Sequence, residues 1–194
     1  MHYIVGLGNP GEEYELTRHN AGRIAVLEFI KKEGMDELVF DKKLNALVGK
    51  GEIGSEKVQI ILPETFMNKS GNALKNIITS AKKAESLIVV HDDIDLPLGK
   101  IKISFGKSSG GHKGVESVIK AVKTINFTRV RIGISATNAK GVVKKPSGDN
   151  FLDYIVGKFK PAELAEMKKT AKKSAEALAM IVAEGTEKTM GEFN

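Results

Sequence analysis

Ile4, Val5 and Leu7 open the chain as an apolar run that breaks at Gly6 and Gly8 and turns at Asn9-Pro10-Gly11. Beyond it, Ile24, Leu27 and Ile30 recur at helical spacing, which predicts a helix over 23–32 that stops at Gly34. Two strand-like stretches at 45–53 and 57–62, separated by Gly54-Ser55, read as a hairpin. After 63–68 a second helix is expected, with Ala73, Leu74, Ile77, Ile78 and Ala81 as its apolar stripe. Residues 86–90 contain Leu-Ile-Val-Val, an unbroken β-prone run of the kind found in a strand covered on both faces. That run ends in His91-Asp92-Asp93-Ile94-Asp95.

Residues 100–105 and 129–134 alternate strictly, placing Lys100, Lys102 and Ser104 on one face and Arg129 and Arg131 on another. Between them, Ser108 to Gly114 precede a helix whose Val115, Val118, Ile119 and Val122 recur at i, i+3, i+4, i+7. From 136 to 150 the pattern dissolves into Thr, Asn, Gly, Lys, Pro and Ser, and a mobile loop is expected. A last helix starts at Pro161, runs on Leu164, Met167, Ala171, Leu178 and Val182, and stops at Gly185. The tail over 186–194 is expected to fray. Strands alternating with helices predict an α/β fold: one domain over 1–194, a three-layer sandwich with a central mixed, largely parallel sheet flanked by helices. Ligands in such folds lie beyond the carboxyl ends of the strands. Asn9, Asn68 and Asp92 follow three separate predicted strands, so the fold class would gather them at one edge.

Composition narrows the function. The chain has 194 residues, no cysteine and a net charge of +6. Without cysteine, disulfides, thiolate nucleophiles and Cys-ligated zinc are excluded, and a reducing, cytoplasmic setting is expected. Met1 leads almost directly into the first strand, without the leader pattern of a signal peptide, and no apolar run approaches a membrane span. No membrane partner is therefore expected. The basic excess favours a polyanionic partner such as nucleic acid. No second apolar surface pattern is visible, which makes a monomer the expected state.

Each candidate for chemistry has a plainer reading beside it. Gly6-x-Gly8-x-x-Gly11 matches the dinucleotide fingerprint, but Pro10 and residues 12–18 intervene before the helix, and no second strand ends in an acid about 20 residues on. The glycines could simply enable a turn. His19 could be a capping or core histidine; as a general base it needs a carboxylate to hold its ring, and Asp92 is placed to do so. No serine sits in a nucleophile elbow, so a His–Asp pair would activate water rather than form an acyl-enzyme. His91, Asp92, Asp93 and Asp95 could bind a divalent cation or form a solvated turn. Asn9 and Asn68 could cap turns or grip a peptide backbone, since a carboxamide both donates and accepts. Lys100, Lys102, Arg129 and Arg131 could be a solvated sheet face or a phosphate-contacting surface.

The chain resembles the bacterial-type peptidyl-tRNA hydrolase family. The resemblance rests on Val5-Gly6-Leu7-Gly8-Asn9-Pro10-Gly11, Thr17-Arg18-His19-Asn20-Ala21-Gly22 and Thr65-Phe66-Met67-Asn68-x-Ser70-Gly71. It continues through His91-Asp92-Asp93-Ile94-Asp95-Leu96-Pro97, Gly110-Gly111-His112 and Arg129-Val130-Arg131-Ile132-Gly133, in the family's order. The resemblance implies an esterase that frees tRNA by cleaving the bond between a peptide and the 3′ ribose. It implies His19 as general base, Asp92 as its orienting partner and Asn9 as the group that recognises the peptide. Tyr14, Asn20, Phe66, Met67 and Asn68 would line the substrate site, and Lys102 and Arg131 would contact phosphates of the acceptor stem and 3′ end. No cofactor and no metal are implied. One departure stands out: the family usually has Asn after Gly-Gly-His, whereas this chain has Lys113. Lysine only donates, so a role there that needs an acceptor is lost. Lys113 is instead expected to meet the tRNA 3′ end and, if near His19, to favour its neutral form. A relative that kept RNA binding but lost hydrolysis is the alternative, and Lys113 is the only feature that favours it.

Overall fold

The sheet at the centre of the fold is built from strands that bury side chains on both faces. The computed structural model describes residues 1–146, 148 and 150–194. Its strands are β1 (His2–Gly6), β2 (Val39–Asp41), β3 (Ala46–Ile53), β4 (Glu56–Pro63), β5 (Leu87–Pro97), β6 (Ile101–Phe105) and β7 (Thr128–Ser135). They pair in the order β2-β3-β4-β1-β5-β7-β6. The β4–β1, β1–β5 and β5–β7 pairs are parallel, and the β2–β3, β3–β4 and β6–β7 pairs antiparallel. The helices are α1 (Ala21–Glu33), α2 (Ala81–Ala84), α3 (Lys113–Val122), α4 (Asn150–Val156), α5 (Pro161–Glu184) and α6 (Thr186–Phe193), with 3₁₀ helices at Arg18–Asn20 and Met67–Leu74.

Strand alternation divides the core into two layers. Ile4, Ile88, Val90 and Val130 point to one face, where Ala25, Val26 and Phe29 of α1 and Met167, Leu178 and Ile181 of α5 cover them. Tyr3, Val5, Leu87 and Val89 point to the other, under Leu74, Val115 and Val118. The unbroken run Leu87–Val90 is thus buried on both sides, as its composition predicts. The three-layer α/β sandwich with a mixed, largely parallel sheet is the observed architecture. Because β1, β4 and β5 run parallel, their carboxyl ends open on one edge, with the turn after β1 between the other two.

Four local expectations change. Residues 67–74 form a 3₁₀ rather than an α-helix. There Ser70 Oγ donates to Met67 O at 2.9 Å and Gly71 N–H to Ser117 Oγ on α3 at 3.0 Å, local bonds that compete with the α-helical ladder. β5 continues past Val90 to Pro97 because Asp92 and Asp93 still pair with Ile132 and Gly133 of β7. The expected loop over 136–150 contains Ser147 and Asp149, which lie outside the described residues; Thr137 bridges to Val143, and Asn150 already starts α4. The tail expected to fray is helix α6 instead. Met190 and Phe193 pack against the core, Thr186 and Thr128 bring their Oγ1 atoms to 2.7 Å, and the Asn194 carboxamide bonds to Ile103 of β6.

Gly22 sets how closely α1 approaches the sheet. A Cβ at this position would lie 2.2 Å from Val90 O and 2.9 Å from Leu7 O, both rigid backbone atoms. We expect Gly22→Ala to lower stability by about 1–3 kcal/mol through overpacking. A lower urea midpoint at unchanged m-value reads this effect, and an unchanged midpoint would show that α1 can shift without cost.

Candidate active site

The turn after β1 is fixed by backbone and side-chain bonds before any chemistry is considered. Leu7 N–H donates to Val90 O and Arg23 N–H to Leu7 O, each at 3.0 Å, so the chain leaves β1 pressed between β5 and α1. Asn20 then closes a ring on the backbone of Asn9. Its Oδ1 accepts Asn9 N–H at 2.8 Å, and its Nδ2 donates to Asn9 O at 2.9 Å. The Asn9 side chain is oriented by Met67 N–H, which donates to its Oδ1 at 2.8 Å. With that oxygen occupied, Nδ2 has no partner among the described residues and is the donor that Asn9 offers to the cleft.

Arg18 anchors the segment that carries His19. Its guanidinium lies over the Tyr154 ring at 4.5 Å, donates to Gly157 O and Lys158 O, and pairs with Glu163 at 2.7 Å. The His19 segment is therefore tied both to the sheet and to the junction between α4 and α5.

Asp92 lies in β5, buried, and collects two imidazoles. His19 Nδ1 stands 2.9 and 3.0 Å from its two carboxylate oxygens. His112 Nε2 stands 2.8 Å from Oδ1. His112 is also the N-cap of α3, its Nδ1 accepting Gly114 N–H at 3.1 Å and Val115 N–H at 3.2 Å. A nitrogen that accepts carries no proton, so the cap assigns the His112 proton to Nε2, aimed at Asp92. His19 likewise donates from Nδ1, leaving its Nε2 as the free basic nitrogen. Burial alone would push the Asp92 carboxyl up, but the charges and N–H groups of His19 and His112 outweigh it and hold it well below the usual carboxylate range. Burial disfavours the His19 imidazolium, yet the charge and hydrogen bonds of Asp92 outweigh it and raise its pKa above 6.5. His91 is the reverse case: burial first, then His112 and Arg129, push it well below that value, and its Nδ1 donates to Asp92 O at 2.7 Å.

Around this group opens a cleft of about 940 Å³. Asn9, His19, Phe66, Met67, Asn68, Asp92, Lys102, Lys113 and Arg131 all line it, so most of the expected site residues converge. Tyr14 stands outside the lining and meets the exposed Phe66 edge-on, with ring centroids 6.4 Å apart. Asn20 is buried, lies outside the lining, and spends its carboxamide on the backbone of Asn9. Met67 is buried too and contributes cleft floor and a backbone donor. On β7 and β6, Arg131 faces Lys102 and Arg129 faces Ser104 in register. Arg131 is paired with Asp93 at 2.6 Å. Arg129 is only 4% exposed, and burial together with its neighbour Arg131 lowers its pKa; these two charges favour an anion above them. Lys100 lies ahead of β6 and outside the lining. Lys113 sits on the rim, its side chain 69% exposed and paired with Glu116 at 3.2 Å. Burial lowers the His19 pKa and Asp92 raises it more, and Lys113 does not contribute to the shift.

The comparisons with known proteins converge. The family model described as peptidyl-tRNA hydrolase matches residues 3–194. The chain belongs to the peptidyl-tRNA hydrolase family. It is 42% identical over 195 residues to the peptidyl-tRNA hydrolase of Carboxydothermus hydrogenoformans, covering 100% of this chain and 98% of that one. It is also 42% identical over 195 residues to that of a Thermoanaerobacter species, with 100% of both chains covered. The crystal structure of the Acinetobacter baumannii peptidyl-tRNA hydrolase superposes with a TM-score of 0.88 at 30% identity, covering 100% of this chain and 94% of that one.

For this member of the family, the acids considered as a cation site disperse. Asp93 pairs with Arg131, and Asp95 with Lys145 at 2.5 Å. The potential ligand atoms that do converge are those of His19, Asp92 and His112. A metal there would displace both N–H protons, and His112 could not accept one at Nδ1 without losing two cap bonds of α3. The cluster fits a proton network better than a cation. The dinucleotide reading fails for a related reason: the Arg23 N–H near the start of α1 is used by Leu7 O rather than left for a phosphate.

Sequence reasoning missed His112, Asn20 as a clamp, Arg18 as a tether, and the apolar cleft wall of Phe151, Leu152 and Val156 on α4. A histidine between Gly-Gly and an amphipathic stripe, with no Ser, Thr, Asp or Asn to cap it, was the available signal for the first. The others depend on partners remote in the chain.

If Asp92 is what raises His19, the acid limb of kcat/KM lies above pH 6.5, because protonated His19 cannot act as base. Asp92→Asn removes the raising partner and leaves burial, so the limb should move to lower pH while turnover falls by about 10²–10⁴-fold. A pH–rate profile with an unmoved limb would exclude Asp92 as the source.

Proposed function

We propose that the chain hydrolyses the ester between a peptide's carboxyl end and the 3′ ribose of tRNA, with His19 as general base. The reading is carried by one arrangement: the free Nε2 of His19, oriented through Asp92, opens on the same cleft as the Nδ2 donor of Asn9. Water bound beside Nε2 gives up a proton to it as its oxygen attacks the ester carbonyl. Collapse of the tetrahedral intermediate expels the ribose oxygen, which takes the proton back from Nε2. The products are a free peptide acid and a free tRNA hydroxyl, and no nucleophilic side chain is consumed.

Asn9 distinguishes the substrate. A donor in that position pairs with a peptide carbonyl, whereas the ammonium of an unblocked aminoacyl group offers only donors and a charge of the wrong sign. Phe66, Asn68 and the α4 residues Phe151 and Leu152 give the acyl chain an apolar wall with one polar grip. Lys102, Arg129 and Arg131 receive phosphates of the acceptor stem and 3′ end, and Lys113 meets the same strand from the rim. The same reading has the chain act as a monomer. The lack of cysteine suits a reducing cytoplasm. Among the described residues no helix is long and apolar enough to cross a membrane.

The RNA-binding relative that lost hydrolysis is not favoured, since Asn9, His19 and Asp92 stand assembled and Lys113 blocks none of them. Incubation with N-blocked aminoacyl-tRNA and with the unblocked form tests the reading. Cleavage of the blocked form alone is expected, falling about a thousandfold in His19→Ala; equal cleavage of both forms would remove the role of Asn9. For Lys113→Asn we expect a changed KM for tRNA at an unmoved pH profile, and an unchanged KM would take Lys113 out of substrate binding.

A further inference from the structure

Among the described residues β6 is the last strand on its side of the sheet, with β7 as its only strand neighbour. The outward backbone groups of such a strand have no ladder to join. At Ile103 a side chain takes them instead. Ile103 N–H donates to Asn194 Oδ1 at 2.7 Å, and Asn194 Nδ2 donates to Ile103 O at 3.0 Å. The carboxamide uses both its acceptor and its donor, and stands where a further strand would pair. Helix α6 holds it there. Asn194 N–H donates to Met190 O at 3.2 Å, Thr189 Oγ1 to Gly185 O at 2.8 Å, and Thr186 meets Thr128 of β7.

The position of Ile103 gives this clamp a consequence at the cleft. Its side chain is fully buried on the far face of the sheet, so its neighbours Lys102 and Ser104 turn toward the cleft, opposite Arg131 and Arg129. We propose that Asn194 is a positioning residue for the tRNA: by pinning Ile103 it sets the spacing between Lys102 and Arg131. The proposal rests on the tRNA reading given above. An edge strand bonded on one side only can fray, and a lysine on a fraying strand meets a phosphate less often. Asn194 lines the cleft beside Ile103 and Lys102, but it makes no hydrogen bond to Asn9, His19 or Asp92, so the His19–Asp92 pair is left alone.

Two variants test this, Asn194→Ala and Asn194→Asp. The second keeps an acceptor for Ile103 N–H but sets a carboxylate oxygen against Ile103 O. Each is assayed on N-blocked aminoacyl-tRNA and on N-blocked aminoacyl-adenosine, which carries the ester but no phosphate. For the tRNA substrate KM should rise roughly fivefold to tenfold at unchanged kcat. The salt dependence of binding should become shallower by about one phosphate contact. The adenosine ester should be cleaved as by the wild type, and the Ile103 amide should exchange faster with solvent. Equal losses on both substrates, or faster exchange at Ile103 with unchanged tRNA KM and salt slope, would overturn the proposal. If the wild type cleaves neither ester, the hydrolase reading itself falls. Direct tRNA affinity of wild type and variants then decides the clamp, and equal affinities would refute it.

Discussion

A buried carboxylate is costly unless its oxygens are filled, and Asp92 is filled by two imidazole N–H groups. Most of the site follows from that requirement. Asp92 belongs to β5, His19 to the 3₁₀ turn before α1, and His112 to the cap of α3. The same oxygens therefore join a central strand to elements from both covering layers. The second imidazole matters because its tautomer is not free: α3 dictates it through the cap. His112 can only donate to Asp92, which leaves the carboxylate charged and the far nitrogen of His19 basic. Packing and proton inventory are here one constraint seen twice.

The two asparagines beside this group show how placement divides labour within one residue type. Asn20 spends its whole carboxamide on the backbone of Asn9, whereas Asn9 spends only its oxygen, on Met67 N–H. What remains is a single donor at the cleft. The cations are graded in the same way. Arg131 is balanced by Asp93, while Arg129, more deeply buried, forms no ion pair among the described residues, so the floor of the cleft carries a positive charge that an incoming anion relieves.

Legibility in the sequence tracked the range of the interactions. The run before His91 is unbroken and the stripe of α3 is periodic, and the structure has both where those local patterns put them. Asn9, His19 and Asp92 were readable because a parallel sheet brings strand ends together whatever lies between. The second helix came out as 3₁₀ because Ser70 and Ser117 compete for its backbone, which no hydropathy period records. The polar segment 186–193 looked like a tail because its hold on the core comes from Thr128 and Ile103, both far back in the chain. For Asn20 and Lys113 the same holds: residue type was visible in the sequence, but the bonds to Asn9 and Glu116 were not.

The position of β1 carries a consequence for how the chain is made. β1 leaves the ribosome well before β4 and β5, yet it ends up between them in the middle of the sheet. Until they arrive, Tyr3, Ile4, Val5 and Leu7 have no parallel partner on either edge, and only α1 is available to cover one face. Long-range parallel pairing of this kind forms slowly, since distant segments must meet before any ladder exists. The same central placement that puts the turn after β1 at the heart of the cleft obliges the newborn chain to keep an apolar strand waiting.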